Sequence, residues 1–487
     1  MNLCLNLWKS ADQYPERPAV RFYERTITYG ELRNNVARLA AGFNAMGIAH
    51  GTRIALAMPN IPEFIISYYA ALAAGAAVVP VNPLYTPYEL NYIIGDSAPS
   101  VIITHPLTEA AASVVSREKS IPLLFADNFG DTSKKTIYSV MSEQADEKLP
   151  VEIEDDETAA VIYTNAVGGI PLGAQLTHGG LAFDAEKCAV VAGVECEDVF
   201  LTVIPLYHAF SATVCMNLPI LRGALTILHE TFDEQRTFTS LHRECVTIFP
   251  AVPTIFKRIL DRFCKSGITL PHLKAPIPGG APTPQDVITG FEDAFGALVF
   301  EGYGITECGP VTSVNPITRR IRKIGSIGPP LEEIDVKITD ANGNSLPADT
   351  DGELCVRGRN VMKGYLNNEE ATRQFLKDGW FHTGDLARID EDGFIFITGR
   401  KKRMIIVGGF NVYPAEVEKA LLNHEAIAEC EVFGVPDGML GERVAARIRL
   451  RTGKTADKGE IQKFTRNFLA PYKIPRTIEI IAWSINN

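Results

Sequence analysis

The sequence contains no paired cysteine motif. Its nine cysteines are scattered, odd in number and never spaced as C-x-x-C. Zinc sites and disulfide frameworks both need organised cysteine spacing, so we expect reduced thiols in a cytoplasmic protein. The cysteines are at positions 4, 188, 196, 215, 245, 264, 308, 355 and 430.

A surplus of basic residues is also lacking. Lysine and arginine total 47 against 58 aspartate and glutamate residues, which gives a net charge of −11. Nucleic-acid binders need a basic face, so this balance argues against a nucleic-acid partner. Acidity of this size is typical of a protein that is kept soluble by its surface charge.

Long apolar runs are missing as well. The most apolar segment, residues 64–81, is interrupted by Ser67, Gly75 and Pro80. It predicts a buried helix that leads into a strand, and not a transmembrane segment. The N-terminus has no long apolar stretch, so we expect no signal peptide. No G-x-G-x-x-G follows a predicted strand, which disfavours a dinucleotide oxidoreductase.

The patterns that are present predict an α/β protein. A chain of 487 residues should form two or more domains. A capping box at Thr28 and Glu31 begins a helix over 28–47, and short apolar strands at 53–58, 78–81 and 101–104 alternate with further helices. This alternation indicates a largely parallel sheet.

The later parts of the chain differ in character. Residues 105–157 show little pattern and end in an acidic run at 152–157, which is typical of a solvated linker. Alternation resumes from 200 to 300, including a strand at 298–300. From about 325, short strands and turns predict a β-rich subdomain with a hairpin turn at Asp392-Gly393. Beyond residue 402 the pattern predicts a small α+β domain with a helix over 458–469.

One glycine-rich stretch, YTNAVGGIPLG at 163–173, follows an apolar run and precedes a predicted helix near His178. Glycines at 168, 169 and 173 let a backbone approach a ligand closely. A turn between a strand and a helix is a common phosphate-binding device. The stretch nevertheless contains no lysine, and Thr164 is its one hydroxyl residue besides the tyrosine.

Four motifs occur in register along the chain: the glycine-rich stretch, EGYGITE at 301–307, FHTGD at 381–385, and GRKKRMIIVGGFNVYPAEVE at 399–418. Together they resemble the acyl-CoA synthetase family of adenylate-forming, AMP-binding enzymes, over essentially the whole chain. VNPLYTPYEL at 81–90 and RNVMKGY at 359–365 most resemble bacterial long-chain fatty acid–CoA ligases.

The resemblance implies an α/β fold with a large N-terminal AMP-binding domain of α/β subdomains plus a β-rich subdomain, at 1–401. A small, mobile α+β C-terminal domain would follow at 402–487, shorter than is usual for the family. The implied reaction has two halves. A carboxylate attacks ATP to give acyl-AMP and pyrophosphate, and coenzyme A then displaces AMP. The implied cofactors are ATP/AMP, Mg²⁺ and coenzyme A.

The resemblance also assigns the nucleotide-binding residues. Tyr303 would stack on adenine, although an ordinary core tyrosine is the alternative. Thr306 would offer its hydroxyl to a phosphate, and Glu307 would hold Mg²⁺. Asp385 would accept hydrogen bonds from ribose unless it is a plain turn residue. Arg400 would reach ribose or phosphate with its guanidinium group.

Further matches concern the rest of the site. Lys402 matches the family's hinge between the two domains. His208 in PLYHAF would line the acyl pocket or act as an acid–base catalyst. The remaining matches are glycines and small residues that would let the backbone approach the nucleotide, the carboxylate or the pantetheine arm. They are Thr164, Gly168 and Gly169 in the ATP loop, Gly279, Gly280 and Ala281, Gly302, and Gly408 with Gly409.

Two departures from the family pattern bear on adenylation. The family's loop reads approximately YTSGTTGxPKG, whereas this chain has NAVG at 165–168 and Leu172 in place of the lysine. The sequence also ends at Asn487 without a counterpart of the family's C-terminal catalytic lysine. Lys473 precedes the last predicted strand and is not assigned that role. We therefore expect impaired adenylation.

Three functions remain open from the sequence. The first is an acyl-CoA ligase that joins a fatty or aromatic carboxylate to coenzyme A. The second is ATP-independent acyl transfer between coenzyme A and an acyl carrier protein, which the retained Lys402, Gly408 and Gly409 motivate. The third is a non-catalytic protein that binds an acyl or nucleotide ligand. For each of these three functions, we expect the ligand to be a small molecule that carries a carboxylate or an acyl thioester.

Overall fold

The computed structural model describes residues 2–127, 130–144, 149–167, 169–315, 321–401 and 404–481, with the backbone alone at 165–167. A large N-terminal domain and a small C-terminal domain are present, and each has its own hydrophobic core. The mixed α/β architecture predicted from the sequence is confirmed. The predicted boundary at Lys402 lies outside the described residues and stays a prediction.

The first part of the chain alternates strands and helices, as predicted. Thr28 and Thr86 form capping boxes with Glu31 and Glu89, and these begin two of the helices. Residues 105–157, which show little pattern in the sequence, contain two helices and a strand, and the acidic run at 152–157 lies outside these elements. The elements are α1 Leu5–Gln13, β1 Pro18–Phe22, β2 Arg25–Thr28, α2 Tyr29–Ala45, β3 Arg53–Ala57, α3 Pro62–Ala73, β4 Ala77–Pro80, α4 Pro87–Ser97, β5 Val101–Thr104, α5 Glu109–Lys119, β6 Leu123–Phe125 and α6 Ile137–Ser142.

The second part completes two six-stranded sheets. Its elements are β7 Thr158–Val167, β8 Ile170–Thr177, α7 His178–Val191, β9 Val199–Thr202, α8 Ala209–Ser211, a π-helical turn Ala212–Asn217, α9 Leu218–Arg222, β10 Leu225–Leu228, α10 Glu234–Arg243, β11 Ile248–Ala251, α11 Pro253–Ser266, β12 Ala275–Pro278 and α12 Gln285–Phe295. One sheet has the order β6-β5-β3-β4-β7-β8 and the other β12-β11-β9-β10-β1-β2. All pairs are parallel except β7 with β8 and β1 with β2.

The glycine-rich stretch differs from its prediction. It does not form a turn between a strand and a helix, because β7 and β8 pair as an antiparallel hairpin in which Val167 faces Ile170. The helix α7 begins only after β8, with Thr177 as its N-cap. Apolar and β-branched residues at positions such as 167 and 170 favour extended backbone, which explains why the strands continue nearly to the tip.

The β-rich subdomain begins after α12, and its hairpin turn at Asp392-Gly393 is confirmed by the pairing of Ile389 with Ile395. The strand predicted at 298–300 is wrong, since the nearest strand begins at Gly302. The elements are β13 Gly302–Tyr303, a 3-10 turn Thr306–Cys308, β14 Ser313–Val314, β15 Asp335–Thr339, β16 Gly352–Arg357, α13 Glu369–Phe375, β17 Leu376–Lys377, β18 Trp380–Ile389 and β19 Ile395–Arg400.

The C-terminal domain packs two helices on a five-stranded sheet of order β21-β20-β23-β22, with β24 paired to β23. The predicted helix over 458–469 ends earlier, at Thr465. The elements are β20 Ile405–Val407, β21 Phe410–Val412, α14 Pro414–Leu422, β22 Ile427–Asp437, β23 Gly441–Leu450, α15 Lys458–Thr465, a 3-10 turn Pro471–Lys473 and β24 Thr477–Ile481.

Within the described part of the chain, none of the helices combines the length and the apolar character needed to cross a membrane.

Candidate active site

A cavity of about 950 Å³ lies where β11 and β12 end, and the β-rich subdomain and the C-terminal domain close it. The carboxyl ends of parallel strands are the usual ligand site of such sheets. Nearly all residues predicted for the site line this one cavity. They are Thr164, His208, Gly279, Gly280, Ala281, Gly302, Tyr303, Thr306, Glu307, Asp385, Arg400, Gly408 and Gly409.

Three predicted residues are not among them. Gly169 lines a separate cavity of about 560 Å³ between α4 and α14. The tip of the β7–β8 hairpin therefore points to the C-terminal domain instead of the main cavity. Gly168 and Lys402 lie outside the described residues.

Asp385 is the centre of one polar group in the cavity. The Tyr303 hydroxyl donates to Oδ2 at 2.5 Å, and Arg400 Nε lies 2.7 Å from Oδ1. Arg400 faces Asp385 across the β18–β19 pair, so the sheet register itself brings the two together. Burial, followed by the charge of Asp385, raises the pKa of Tyr303, so the phenol keeps its proton and remains a donor.

A second network supports the strand that carries Asp385. His382 Nδ1 and Lys401 Nζ each lie 2.9 Å from Glu353 Oε2, and the Gly384 N–H donates to Oε1 at 3.2 Å. Burial alone would raise the pKa of Glu353, but the hydrogen bonds from His382 and Lys401 hold it below its usual range. Cys355 completes a Glu-Cys-His group with metal-ligand chemistry. Because Lys401 already supplies a positive charge beside Glu353, no metal ion is needed to balance the carboxylate.

Glu307 forms the third polar group of the cavity. Its Oε1 accepts hydrogen bonds from the Thr164 hydroxyl at 2.8 Å and from the Tyr365 hydroxyl at 2.9 Å. Only 8% of Glu307 is exposed, so these two donors supply hydrogen bonds that a buried carboxyl group would otherwise lack. Sequence reasoning missed Tyr365 as a site residue, although it belongs to the RNVMKGY motif.

Two glycines are required by close approaches. A Cβ on Gly279 would lie 2.6 Å from the Phe210 ring, so glycine leaves the room that this aromatic wall needs. Gly409 has a φ of 91°, and a Cβ there would lie 2.6 Å from the Val252 side chain of the N-terminal domain. Gly409 therefore lies at the contact between the two domains.

His208 is held in an apolar wall of the same cavity. Its ring lies 4.7 Å from Tyr207 and 5.9 Å from Phe410, measured between ring centroids. Its Nε2 is buried without a hydrogen-bond partner among the described residues. Burial lowers the pKa of His208 to about 4, so the ring is neutral at pH 7.

Leu172 occupies the position where the resemblance expects a lysine. It pairs with Thr164 across the hairpin, and only 5% of its surface is exposed, because it belongs to the N-terminal core. The stretch 163–173 contains neither lysine nor arginine. The hairpin thus contributes the Thr164 hydroxyl to the cavity but no cation.

The low pKa of His208 predicts an acid-dependent loss of stability. The unfolded chain binds a proton on this residue near pH 6.5, whereas the folded chain binds it only near pH 4, so stability falls as the pH decreases through that window. We expect His208→Gln to remove about 1 kcal/mol of the stability loss between pH 7.5 and about pH 5.5.

Chemical unfolding at the two pH values measures this effect. His178 and His229 carry similar shifts and contribute equally to both proteins, so the difference isolates His208. His242→Gln, at an exposed position on α10, is the control. An identical acid loss in wild type and His208→Gln would contradict a neutral, buried His208.

Family comparisons agree with this geometry. The model of the AMP-binding enzyme family matches residues 7–366, and that of the AMP-binding enzyme C-terminal domain matches residues 416–484. A long-chain-fatty-acid–CoA ligase of Bacillus subtilis is 36% identical, over 97% of this chain and 90% of the ligase.

Solved structures give the same answer. The o-succinylbenzoate CoA synthetase of Bacillus subtilis, a double mutant bound to its product analogue OSB-NCoA, is 28% identical with a TM-score of 0.88, covering 99% of this chain and 96% of that one. ATP-bound MatB from Rhodopseudomonas palustris is 29% identical with a TM-score of 0.76, covering 99% and 94%.

The family models span most of the sequence, the relatives are similar along nearly their whole length, and the motif residues meet in one cavity. This chain therefore belongs to the AMP-binding enzyme family, among the acyl-CoA ligases.

Proposed function

We propose that the protein joins a carboxylate with an apolar tail to coenzyme A, that it retains the nucleoside and thioester parts of the site, and that its adenylation step is impaired. The main support for this proposal is the contrast between the two ends of one cavity. Asp385 is engaged by Tyr303 and Arg400 at the nucleoside end, whereas Leu172 is packed into the core at the phosphate end.

The nucleoside end suits AMP. A buried carboxylate that already accepts from a phenol and a guanidinium group can exchange these for ribose hydroxyls, and the Tyr303 ring offers an aromatic face to adenine. The triphosphate end suits ATP poorly. Family loops grip phosphates with amides, hydroxyls and a lysine, and the apolar Leu172 can donate to none of the phosphate oxygens.

Glu307 is the residue that fits Mg²⁺ best among the described residues. One of its oxygens is occupied by Thr164 and Tyr365, and the other can face a cation that also takes phosphate oxygens and water. Such an ion, when bound, would neutralise phosphate charge. Thr164 and Tyr365 would hold the carboxylate in a single orientation while it does so.

The acyl end of the cavity is apolar. Its wall comes from the end of α7, from β9, and from the π-helical turn with α9, and includes Val191, Val194, Val203, Val214 and Leu218. Apolar walls of this kind favour a fatty or aromatic tail over one that carries a charge. His208, neutral and flanked by Tyr207 and Phe410, would line the route between this end and the domain contact.

The thiol would approach along Gly408 and Gly409, where the cavity reaches the C-terminal domain. Coenzyme A is the expected acceptor, and the phosphopantetheine arm of an acyl carrier protein presents the same thiol chemistry. All nine cysteines are free, which suits the reducing cytoplasm, and we propose that location.

The two half-reactions provide the first test of this function. Acyl-CoA should form from coenzyme A and synthetic fatty or aryl acyl-AMP. Pyrophosphate release from ATP with the matching acids should be slower by about 100-fold or more, because a preorganised donor to the phosphate is missing. Rapid pyrophosphate release would contradict impaired adenylation. Failure to use any acyl-AMP would contradict the ligase, and ATP-independent loading of a carrier protein from acyl-CoA would replace it with acyl transfer.

Rebuilding the glycine-rich stretch tests whether its sequence is the cause of the impaired adenylation. We expect Leu172→Lys, combined with Asn165→Ser, Ala166→Gly, Val167→Thr and Gly168→Thr, to raise pyrophosphate release by about tenfold or more through new phosphate donors. Leu172→Met alone keeps the apolar volume and serves as the control. If the rebuilt protein folds, binds AMP and still releases no more pyrophosphate than Leu172→Met, the hairpin is not what limits adenylation.

Asp385 provides a test of the nucleoside site. Asp385→Asn removes the charge that pairs with Arg400, and we expect it to weaken AMP binding by about tenfold to 100-fold in titration calorimetry. Asp392→Asn, in the exposed hairpin turn of the same subdomain, should leave AMP affinity unchanged. Equal affinities for all three proteins would show that AMP does not bind at Asp385.

A further inference from the structure

Lys473 lies in a buried charge group that joins the two domains. Only 2% of this lysine is exposed, and its ammonium lies 2.8 Å from Glu89 Oε1 and 2.5 Å from Glu416 Oε1. Glu89 belongs to α4 of the N-terminal domain, whereas Glu416 and Lys473 belong to the C-terminal domain. The Tyr85 ring of the N-terminal domain also faces the ammonium, at 4.9 Å from its centroid.

The partners are arranged before the domains meet. Glu89 Oε2 accepts from the Thr86 backbone N–H at 2.9 Å and from the Thr86 hydroxyl at 3.0 Å, as part of the capping box of α4. This leaves Oε1 turned toward Lys473. Glu416 lies in the first turn of α14, where the helix dipole favours a carboxylate.

The charge balance makes this contact specific to one domain orientation. Two carboxylates, each at most 9% exposed, share one ammonium. Burial raises the pKa of Glu416, and the nearby Lys473 offsets that shift only in part. Without the lysine, two buried carboxylates would face each other and repel. Separating the domains would reduce this repulsion, because water would then reach both carboxylates.

Neighbouring contacts link the charge group to the cavity. Tyr472 stacks on Phe410 with centroids 4.5 Å apart, and its hydroxyl accepts from Asn82 Nδ2 of the N-terminal domain at 3.1 Å. Phe410 follows the Gly408-Gly409 pair and in turn faces His208. A shift of the domain at Lys473 would therefore displace the residues that flank the thiol route.

The glycine-rich hairpin takes part in the same contact. A Cβ on Gly169 would lie 2.7 Å from the carbonyl of Ala415 and from the backbone nitrogen of Glu416. The hairpin tip is thus packed against the first turn of α14. Gly169, which the resemblance places in a loop over the phosphates, lies instead against the C-terminal domain.

We propose that Lys473 is a positioning residue for thioester formation, which holds the C-terminal domain against Glu89 and the β7–β8 tip in the orientation for thiol transfer. The assignment to thiol transfer rests on the proposed function. It is supported by the stacking of Tyr472 on Phe410, which places this part of the C-terminal domain beside the Gly408-Gly409 route of the cavity.

Domain orientation is the decisive readout. Spin labels on unnatural amino acids at exposed Asp349 and Thr452 report the distance between domains in the full chain. Lys473→Met should broaden and shift that distance distribution, and should lower the rate of acyl-CoA formation from acyl-AMP by about tenfold or more. AMP affinity should change by less than about twofold, since the nucleoside site belongs to the N-terminal domain. Lys419→Met, at an exposed lysine on α14, is the matched control.

A second substitution separates positioning from direct catalysis. Glu89→Gln removes one negative charge. It keeps the capping box, because glutamine can also accept the hydrogen bond from the N-cap backbone at that position. Added to Lys473→Met, it should restore much of the wild-type distance distribution and part of the rate, since one of the two opposed carboxylates is gone. A lysine that acts on the substrate would not be rescued in this way.

The outcomes are distinguishable. An unchanged distance distribution in Lys473→Met with intact AMP binding overturns the proposal, whatever happens to the rate. If Lys473→Met fails to fold, Glu89→Gln alone must still shift the distribution, and no shift there overturns the proposal as well. A shifted distribution in a protein that uses no acyl-AMP retains the domain contact and rejects only the proposed function.

Discussion

The pairing of β7 with β8 constrains the rest of the active site. It commits the glycine-rich stretch to an antiparallel hairpin, directs Leu172 into the N-terminal core and turns Gly169 toward the C-terminal domain. Because Thr164 pairs with Leu172 across this hairpin, a packed apolar side chain occupies the position where the resemblance expects a lysine. One end of the cavity is therefore set by the packing of Leu172, and the other by the charge of Asp385.

The two ends connect through the domain contact. The carboxylate of Asp385 holds Tyr303 and Arg400 together at one end of the cavity, and Arg400 ends the last strand before the C-terminal domain. On the far side, the Lys473 charge group joins that domain to α4. Buried ion pairs contribute little net stability, but they strongly favour the one arrangement in which every charge has a partner. Such a contact suits an enzyme whose second step depends on domain orientation.

Much of the site could be predicted from sequence because it depends on short-range motifs. Glycines beside Tyr303, and Asp385 with Arg400 on adjacent strands, are local features that carry their chemistry with them. The hairpin was misassigned because glycine-rich stretches suit either kind of turn, and strand pairing decides between them. Lys473 was passed over for a similar reason. Its partner Glu89 is distant in the chain, and the resemblance assigns no role to a lysine before the last strand.

The proposed function requires that the site binds a nucleoside monophosphate but makes few contacts with the outer phosphates of ATP. Titration calorimetry of the full chain with AMP, and with ATP in the presence of Mg²⁺, tests it most directly. We expect both nucleotides to bind with affinities within about threefold of each other, because the hairpin offers no lysine or arginine to the outer phosphates. ATP binding that is tighter than AMP binding by about tenfold or more would contradict it.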